Sequence, residues 1–439
     1  VVRGHDPAHV EGAQAVVVTS AVPRDHPELE AARARGIPVI RRAEALAEVV
    51  AGGGGDVIAV AGTHGKTTTT VMTTEALAAA GLEPTGIVGG RVASWNGNLS
   101  VGSDELFVVE ADEYDRSFLA LTPAVAVVTS IEADHLDIYR DLADIHETFA
   151  RFAHGARAIV VCADDAGANA LRTPATAEVV RYGISSSDAR LLASDVAVTP
   201  GGGSSYVPVY DGRELPRVQL EVPGRHNVLN SLAALASGLV LGADPAGMAR
   251  GLAAFRGVER RFQRIGEAAG VVVIDDYAHH PTEIRATLAA ARAAFPGRRL
   301  LVAFQPHLYS RTRDFAGEFG AALAEADEVF LTEIYPAREQ PIEGVSSSLV
   351  EAALLQAASG PRAALRVAPR AAPRDGASAG HATESAAASP ARLAWRGERG
   401  ELAAALAHAV RGGDVVITLG AGDITRTGPE LLAQLTAAA

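Results

Sequence analysis

The chain has 439 residues, 48% hydrophobic and 21% charged, a balance that excludes a disordered chain and, at ~150 residues per domain, predicts three globular domains. A formal net charge of -13 argues against nonspecific nucleic-acid binding, which needs a basic surface, but allows a small anionic substrate held by local donors. The lone Cys162 rules out an internal disulfide framework and fits a reducing, cytoplasmic setting, and no apolar run approaches the ~18 residues of a membrane span. The chain opens Val1-Val2-Arg3-Gly4 with no methionine and no cleavable leader, so a further segment is expected upstream.

Strand-like and helix-like stretches alternate almost end to end, which predicts an α/β fold of parallel sheets covered on both faces. Residues 15–18 and 38–40 read as strands, 27–35 and 43–50 as helices. Gly52, Gly53, Gly54 and Gly55 form a linker and a first domain boundary. A strand at 57–61, a loop and a helix over 66–80 follow, then strands at 107–109 and 124–129. A long alanine- and leucine-rich helix lies within 222–241. After a second boundary come strand 271–274, helix 282–294, strand 299–304, helix 315–324, and strands 328–332 and 415–419. Residues 360–399, rich in Ala, Pro, Arg, Ser and Gly, read as a long loop or disordered insertion.

Among 39 basic residues only Lys66 is lysine. It sits in Gly62-Thr63-His64-Gly65-Lys66-Thr67-Thr68, between a strand and a helix, the context that makes a phosphate loop credible. Glycines let backbone N–H groups converge on phosphate oxygens, and the helix N-terminus adds partial positive charge. Lys66 would reach the β- and γ-phosphates of ATP, and the Thr67 hydroxyl would ligate Mg²⁺. Only two residues separate the glycines, so this is a short variant of the loop; the bland alternative is a tight strand–helix turn with no ligand.

Several other segments follow apolar strands. Glu110-Ala111-Asp112-Glu113-Tyr114-Asp115 crowds four carboxylates at a strand's C-terminal end; Glu110 reads either as a Mg²⁺ ligand or as part of a solvated acidic loop. His135, in TSIEADHLD, is either a second cation or phosphate contact or a structural histidine. Asn227 and Asn230, three apart, share a helical face where paired amides could read an adenine edge; the alternative is N-capping. Arg260 and Arg261 could clamp a γ-phosphate, and Asp276 could accept ribose hydroxyls. His279 and His280 precede a helix beginning at Pro281 and read equally as packing at its start. The arginines of Gln305-Pro306-His307-Leu308-Tyr309-Ser310-Arg311-Thr312-Arg313 could hold a carboxylate.

GTHGKTTTT, EADEYDRSF, TSIEADHLDIY, GRHNVLNSLAAL, ERRF, DDYAHHPTEI and QPHLYSRTRDF occur in the order found in the Mur ligases, and the chain resembles that family, above all its alanine-adding branch. GHDPAHV, VVVTSAV and GIPVIRRAEAL resemble the later part of the family's first domain, and GDVVITLGAGDI its last strand. The resemblance implies an α/β enzyme of three domains: the remainder of a UDP-sugar-binding domain over 1–51, a central P-loop ATPase domain over 52–257, and a C-terminal Rossmann-like domain over 258–439. It implies ATP- and Mg²⁺-dependent joining of L-alanine to the carboxylate of UDP-N-acetylmuramate through an acyl phosphate, in cytoplasmic peptidoglycan precursor synthesis. Residue by residue it implies that Gly62, Thr63, His64, Gly65, Lys66, Thr67, Thr68, Asn227, Asn230, Arg261 and Asp276 bind ATP. Thr67, Glu110 and His135 would hold metal, and Lys66, Glu110, His135, Arg261 and His279 would serve catalysis. His5, Ser20, Tyr277, His279 and Arg311 would contact the UDP-sugar or the amino acid.

Three departures stand out. The glycine-rich turn expected to cradle the UDP diphosphate is not in the chain, Leu308 stands where many relatives carry arginine, and residues after Gly360 match no motif. Relatives that add later residues of the stem peptide use a carbamylated lysine near the metals; with its one lysine in the phosphate loop, this chain fits the alanine-adding branch. Two rivals remain at this stage: a recycling ligase that joins a murein tripeptide to the same nucleotide sugar, and a non-catalytic ATP-binding module. Lys66→Ala is expected to abolish turnover with little change in melting temperature.

Overall fold

The computed structural model describes residues 2–19, 21–136, 138–359 and 391–438. They divide into two compact bodies. The first comprises residues up to Thr199, Gly203–Glu221 and His226–Val258; the second comprises Pro200–Gly202, Val222–Arg225 and the residues from Glu259 onward.

In the first body, Val16–Val18 pairs in parallel with Val39–Arg41, flanked by helices Pro27–Ala34 and Arg42–Gly52. A larger sheet has eleven strands among the described residues. Its parallel centre runs in the order Glu178–Gly183, Ala158–Cys162, Val125–Val128, Asp56–Ala61, Leu106–Glu110 and Thr85–Val92. Val57 to Ala61 and Val125 to Val128 are buried throughout, as strands covered on both faces must be. Antiparallel strands extend both edges: Gly97–Ser100 on one side, and Ser204–Tyr210 and Arg213–Glu214 beyond Leu191–Val198 on the other. The all-parallel expectation is amended there. Residues Ser194 to Val198 are exposed, and Ser194 and Asp195 interrupt the apolar stretch from Leu191 to Val198, which hides the strand.

In the second body, five parallel strands lie in the order Val271–Asp276, Val415–Leu419, Leu300–Phe304, Glu328–Thr332 and Arg392–Gly397, with Gln263–Ala268 antiparallel at the first edge. Alternate residues feed two apolar cores. Val272, Ile274, Val302, Phe304 and Ile417 enter one; Val271, Val273, Leu301, Ala303 and Val416 enter the other. Helices supply the opposite wall of each, Pro281–Ala294 and Tyr309–Leu323 on one side, Arg399–Ala409 and Thr427–Ala438 on the other.

Two expectations from the sequence are corrected here. Of the segment read as an irregular insertion over 360–399, residues 360–390 lie outside the described residues, but Arg392–Gly397 is a strand and Arg399 opens a helix. Leu393 and Trp395 pack against the cores, and neighbouring Ala, Pro and Arg residues hide that short apolar pattern. The helix expected from 315 starts at Tyr309 instead, with non-helical dihedrals at Phe315 (φ −117°, ψ 15°) where the axis kinks.

Candidate functional site

The strand Asp56–Ala61 lies between Leu106–Glu110 and Val125–Val128, all parallel. Their carboxyl ends therefore deliver three loops to one place: Gly62 to Gly65, the segment after Glu110, and Thr129 to His135. In open parallel sheets this rim is where ligands bind. Helix Lys66–Ala79 begins there with Gly65 in the left-handed region (φ 82°) and no side-chain cap. A Cβ on Gly65 would fall 2.6 Å from Asn230 Oδ1, and one on Gly62 (φ 140°) would collide with the Thr129 hydroxyl. Both glycines are thus required by the backbone, and the turn presents main-chain N–H groups at a helix N-terminus, as phosphate binding demands.

Lys66 Nζ donates to the Gly62 carbonyl at 2.7 Å and to Glu113 at 2.8 Å. His135 Nε2 lies 3.6 Å from the same carboxylate. Burial disfavours the Lys66 ammonium, but the carboxylates of Glu113, Asp112 and Glu110 more than offset it and its pKa is raised. For Glu113 burial favours the neutral acid, yet Lys66 and His135 prevail and hold its pKa below the ordinary value. The pair is ionised and fixed.

Glu110 and Thr67 also meet. The Thr67 hydroxyl donates to Glu110 Oε1 at 2.8 Å, and the Gly89 N–H donates to Oε2 at 2.6 Å. A hydroxyl and a carboxylate side by side are the hard oxygen donors that Mg²⁺ takes, so these residues fit that ion. His135 offers nitrogen, a softer donor, from a backbone held at φ 53°. Thr63 Oγ1 accepts from the Glu132 N–H at 2.9 Å, and His64 Nε2 lies 3.4 Å from Glu132 Oε2, which ties the loop to the Thr129–His135 segment. Thr68 is buried within the helix.

Asn227 and Asn230 lie inside helix Arg225–Val240, which excludes N-capping. Their buried amides touch, Asn230 Nδ2 donating to Asn227 Oδ1 at 3.3 Å, and Asn230 closes over Gly65. The paired amides and the Gly62–Gly65 turn are therefore one constellation in the first body.

The second body gathers Arg261, Asp276, Tyr277 and His279. Arg261 pairs with Glu283 at 3.3 Å and its guanidinium lies 5.3 Å from the Tyr277 ring centre. His279 Nδ1 lies 3.0 Å from the Tyr277 carbonyl and 3.2 Å from Glu283, its ring edge-on to Tyr277. Asp276 is 6% exposed and accepts from the Phe262 and Ala278 N–H groups at 2.9 and 2.8 Å and from the Thr287 hydroxyl at 3.2 Å. Burial raises its pKa to about 6, against Arg261 and the two N–H donors. Arg311 is buried in the first turn of its helix, which Leu308 (φ 70°) precedes. His5 lies beside His26 and Glu28, and Ser20 lies outside the described residues.

The sequence did not single out Glu113 from its acidic neighbours. Asp115 and Arg116 both adopt left-handed dihedrals, and Tyr139 Oη donates to the Glu113 carbonyl at 2.6 Å. Together they direct Glu113 inward, a choice that composition does not encode.

Family models match almost the whole chain: "Mur ligase family, catalytic domain" over 1–53, "Mur ligase middle domain" over 60–238, and "Mur ligase, glutamate ligase domain" over 260–422. A UDP-N-acetylmuramate–L-alanine ligase of Rubrobacter xylanophilus is 45% identical, with 98% of this chain and 89% of that protein covered. One from Kineococcus radiotolerans is 46% identical, with 98% and 85% covered. Among solved structures, the UDP-N-acetylmuramate–alanine ligase of Thermotoga maritima superposes with a TM-score of 0.78 at 26% identity, over 99% of this chain and 88% of that one. A murein peptide ligase of Psychrobacter arcticus, 22% identical with a TM-score of 0.64 over 99% and 88%, shares the fold. With family models matching nearly its full length and relatives 45–46% identical over 98% of it, the chain belongs to the Mur ligase family.

Proposed function

We propose that this protein joins L-alanine to the carboxylate of UDP-N-acetylmuramate, forming ADP and phosphate. The observation that carries this reading is that the Lys66–Glu113 and Thr67–Glu110 pairs stand together at the rim of the central sheet in a chain 45–46% identical to alanine-adding ligases. A carboxylate is a poor acylating agent. Attack of its oxygen on the ATP γ-phosphate releases ADP and leaves an acyl phosphate; the alanine amine then adds to that carbonyl, and the tetrahedral adduct collapses to the amide and phosphate.

In this reading Gly62 to Thr68 cradle the ATP phosphates and Lys66 neutralises charge on the transferring group. Thr67 and Glu110 would hold Mg²⁺ and His135 a second ion, which when bound neutralise phosphate oxygens. Asn227 and Asn230 would bind the nucleotide. Arg261, Asp276, Tyr277, His279 and Arg311 are assigned to nucleotide and amino acid, and His5 and Ser20 to the UDP-sugar. The domain limits 1–51, 52–257 and 258–439 and a cytoplasmic location belong to the same reading. Among the described residues no helix is long and apolar enough to cross a membrane.

The test is ADP release with ATP, Mg²⁺ and UDP-N-acetylmuramate, comparing L-alanine, glycine, L-serine and the stem tripeptide. Dependence on L-alanine is expected. Preference for the tripeptide moves the assignment to a recycling ligase, and ATP binding without turnover of any amine moves it to a binding module.

A further inference from the structure

We propose that Glu113 is a positioning residue for phosphoryl transfer, its one carboxylate fixing both the Lys66 ammonium and the His135 imidazole at the phosphate loop. The inference rests on the ligase reading above. Glu113 and Glu110 stand three residues apart and divide their partners. Glu110 takes the Thr67 hydroxyl and the Gly89 N–H, while Glu113 takes Lys66 at 2.8 Å and faces His135 at 3.6 Å. The Glu113 side chain is 4% exposed, so it is walled off from any bulky substrate and acts through its two neighbours.

The surrounding chain is arranged to keep it there. The Tyr139 hydroxyl anchors the residue's own carbonyl at 2.6 Å. Asp115 and Arg116 then turn the backbone through consecutive left-handed conformations, φ 54° and 55°, which side-chain-bearing residues seldom adopt. The Arg116 guanidinium secures that turn on Asp144 at 2.8 Å and on the Thr148 hydroxyl at 2.7 Å. A buried ion pair adds little to stability compared with apolar packing of the same volume, so stability alone is a weak reason for such a device. Backbone strain of this kind collects at sites where a side chain must be held in one direction. Lys66 has four rotatable side-chain bonds and would otherwise sample many directions; Glu113, with the Gly62 carbonyl and more weakly the Thr63 carbonyl at 3.4 Å, holds its ammonium in one.

Glu113→Gln, Glu113→Asp, Lys66→Ala and the Lys66→Ala/Glu113→Gln pair test this by steady-state ADP formation, calorimetric titration with ATP and Mg²⁺, and thermal melting. Glu113→Gln is expected to lower kcat by roughly 10–100-fold, with the KM for ATP changed less than about threefold. Glu113→Asp, which keeps the charge, recovers part of kcat. In melting and ATP affinity, Glu113→Gln should matter far less once Lys66 is alanine. A Glu113→Gln enzyme with wild-type kcat overturns the proposal. So does an Asp variant no better than Gln, or additive effects of Glu113→Gln and Lys66→Ala. Should Glu113→Gln fail to fold, the double variant decides: a folded double variant supports charge positioning, and an unfolded one makes Glu113 a packing residue. Should the wild type form no ADP, the ligase reading fails by itself, and the Lys66–Glu113 coupling in ATP affinity still decides the role of Glu113.

Discussion

Asn230 Oδ1 stands 2.6 Å from the point that a Cβ on Gly65 would occupy, so an amide from one helix closes the loop at the head of another. Gly65→Ala adds a left-handed alanine at φ 82°, disfavoured by about 1 kcal/mol, to that collision. ATP affinity is expected to fall at least tenfold, since the loop must open to admit the methyl group. Asn230→Ala in the same background removes the obstacle but also an amide assigned to the nucleotide, so it should recover melting temperature lost by Gly65→Ala and not ATP affinity. Thermal melting and calorimetric titration of both variants with ATP check this; equal affinity in wild type and Gly65→Ala would show that the loop has slack.

Lys66→Ala separates the reading from sequence from that from structure. A loop lysine exposed to solvent would leave the melting temperature unchanged. Here Lys66 and Glu113 are mutually buried, their side chains 15% and 4% exposed. Removing the ammonium strands the carboxylate, and breaking a buried pair typically costs about 3–5 kcal/mol. Lys66→Ala should therefore lose turnover and also melt several degrees lower, with partial recovery when Glu113 becomes Gln. An unchanged melting temperature would mean that water reaches the pair.

What the sequence made legible follows from burial. The apolar run from Val57 to Ala61, the glycines after it and the helix from Lys66 all agree with their neighbours locally, so strand, loop and helix lie where the pattern puts them. The partners of Glu110 and Asn230 depend on residues 43 and 165 positions away, which no local pattern records. The hairpin Leu191–Val198 and Ser204–Tyr210 escaped because Ser194 and Asp195 break its first strand and the apolar residues beyond them, Val196 and Val198, are exposed. Phe315 looked like a helix start because the helix kinks there.

Exposed pairs should behave differently from Lys66–Glu113. Arg157 grips Asp56 with two bonds of 2.6 Å, lowering the Asp56 pKa through that contact, yet the side chains are 52% and 44% exposed. Solvent screening limits such a pair to about 0–1 kcal/mol. Arg157→Ala is expected to shift the melting temperature by less than about 2 °C, and by less still in 1 M salt. A larger shift that survives salt would assign Arg157 a packing role along its aliphatic stem.

Asp276 gives the second body a pH dependence of definite sign. Burial raises its pKa to about 6 from an ordinary 3.8, so the native state binds its proton more tightly than the unfolded chain. That contribution is fully present below pH ~4, declines as the pH rises towards 6, and is gone above it; the two-unit shift corresponds to about 3 kcal/mol. Asp276→Asn removes the titration and orphans one donor, because its amide nitrogen cannot accept from the Phe262 N–H. The variant should therefore melt lower than wild type near pH 4, by the cost of one orphaned donor, about 1–3 kcal/mol, and this gap should close or reverse as the wild type loses stability up to pH 6, staying constant beyond. Melting curves of both proteins between pH 4 and 8 read this directly. A gap independent of pH would mean that Asp276 is ionised throughout, with Arg261 and the two N–H donors outweighing its burial.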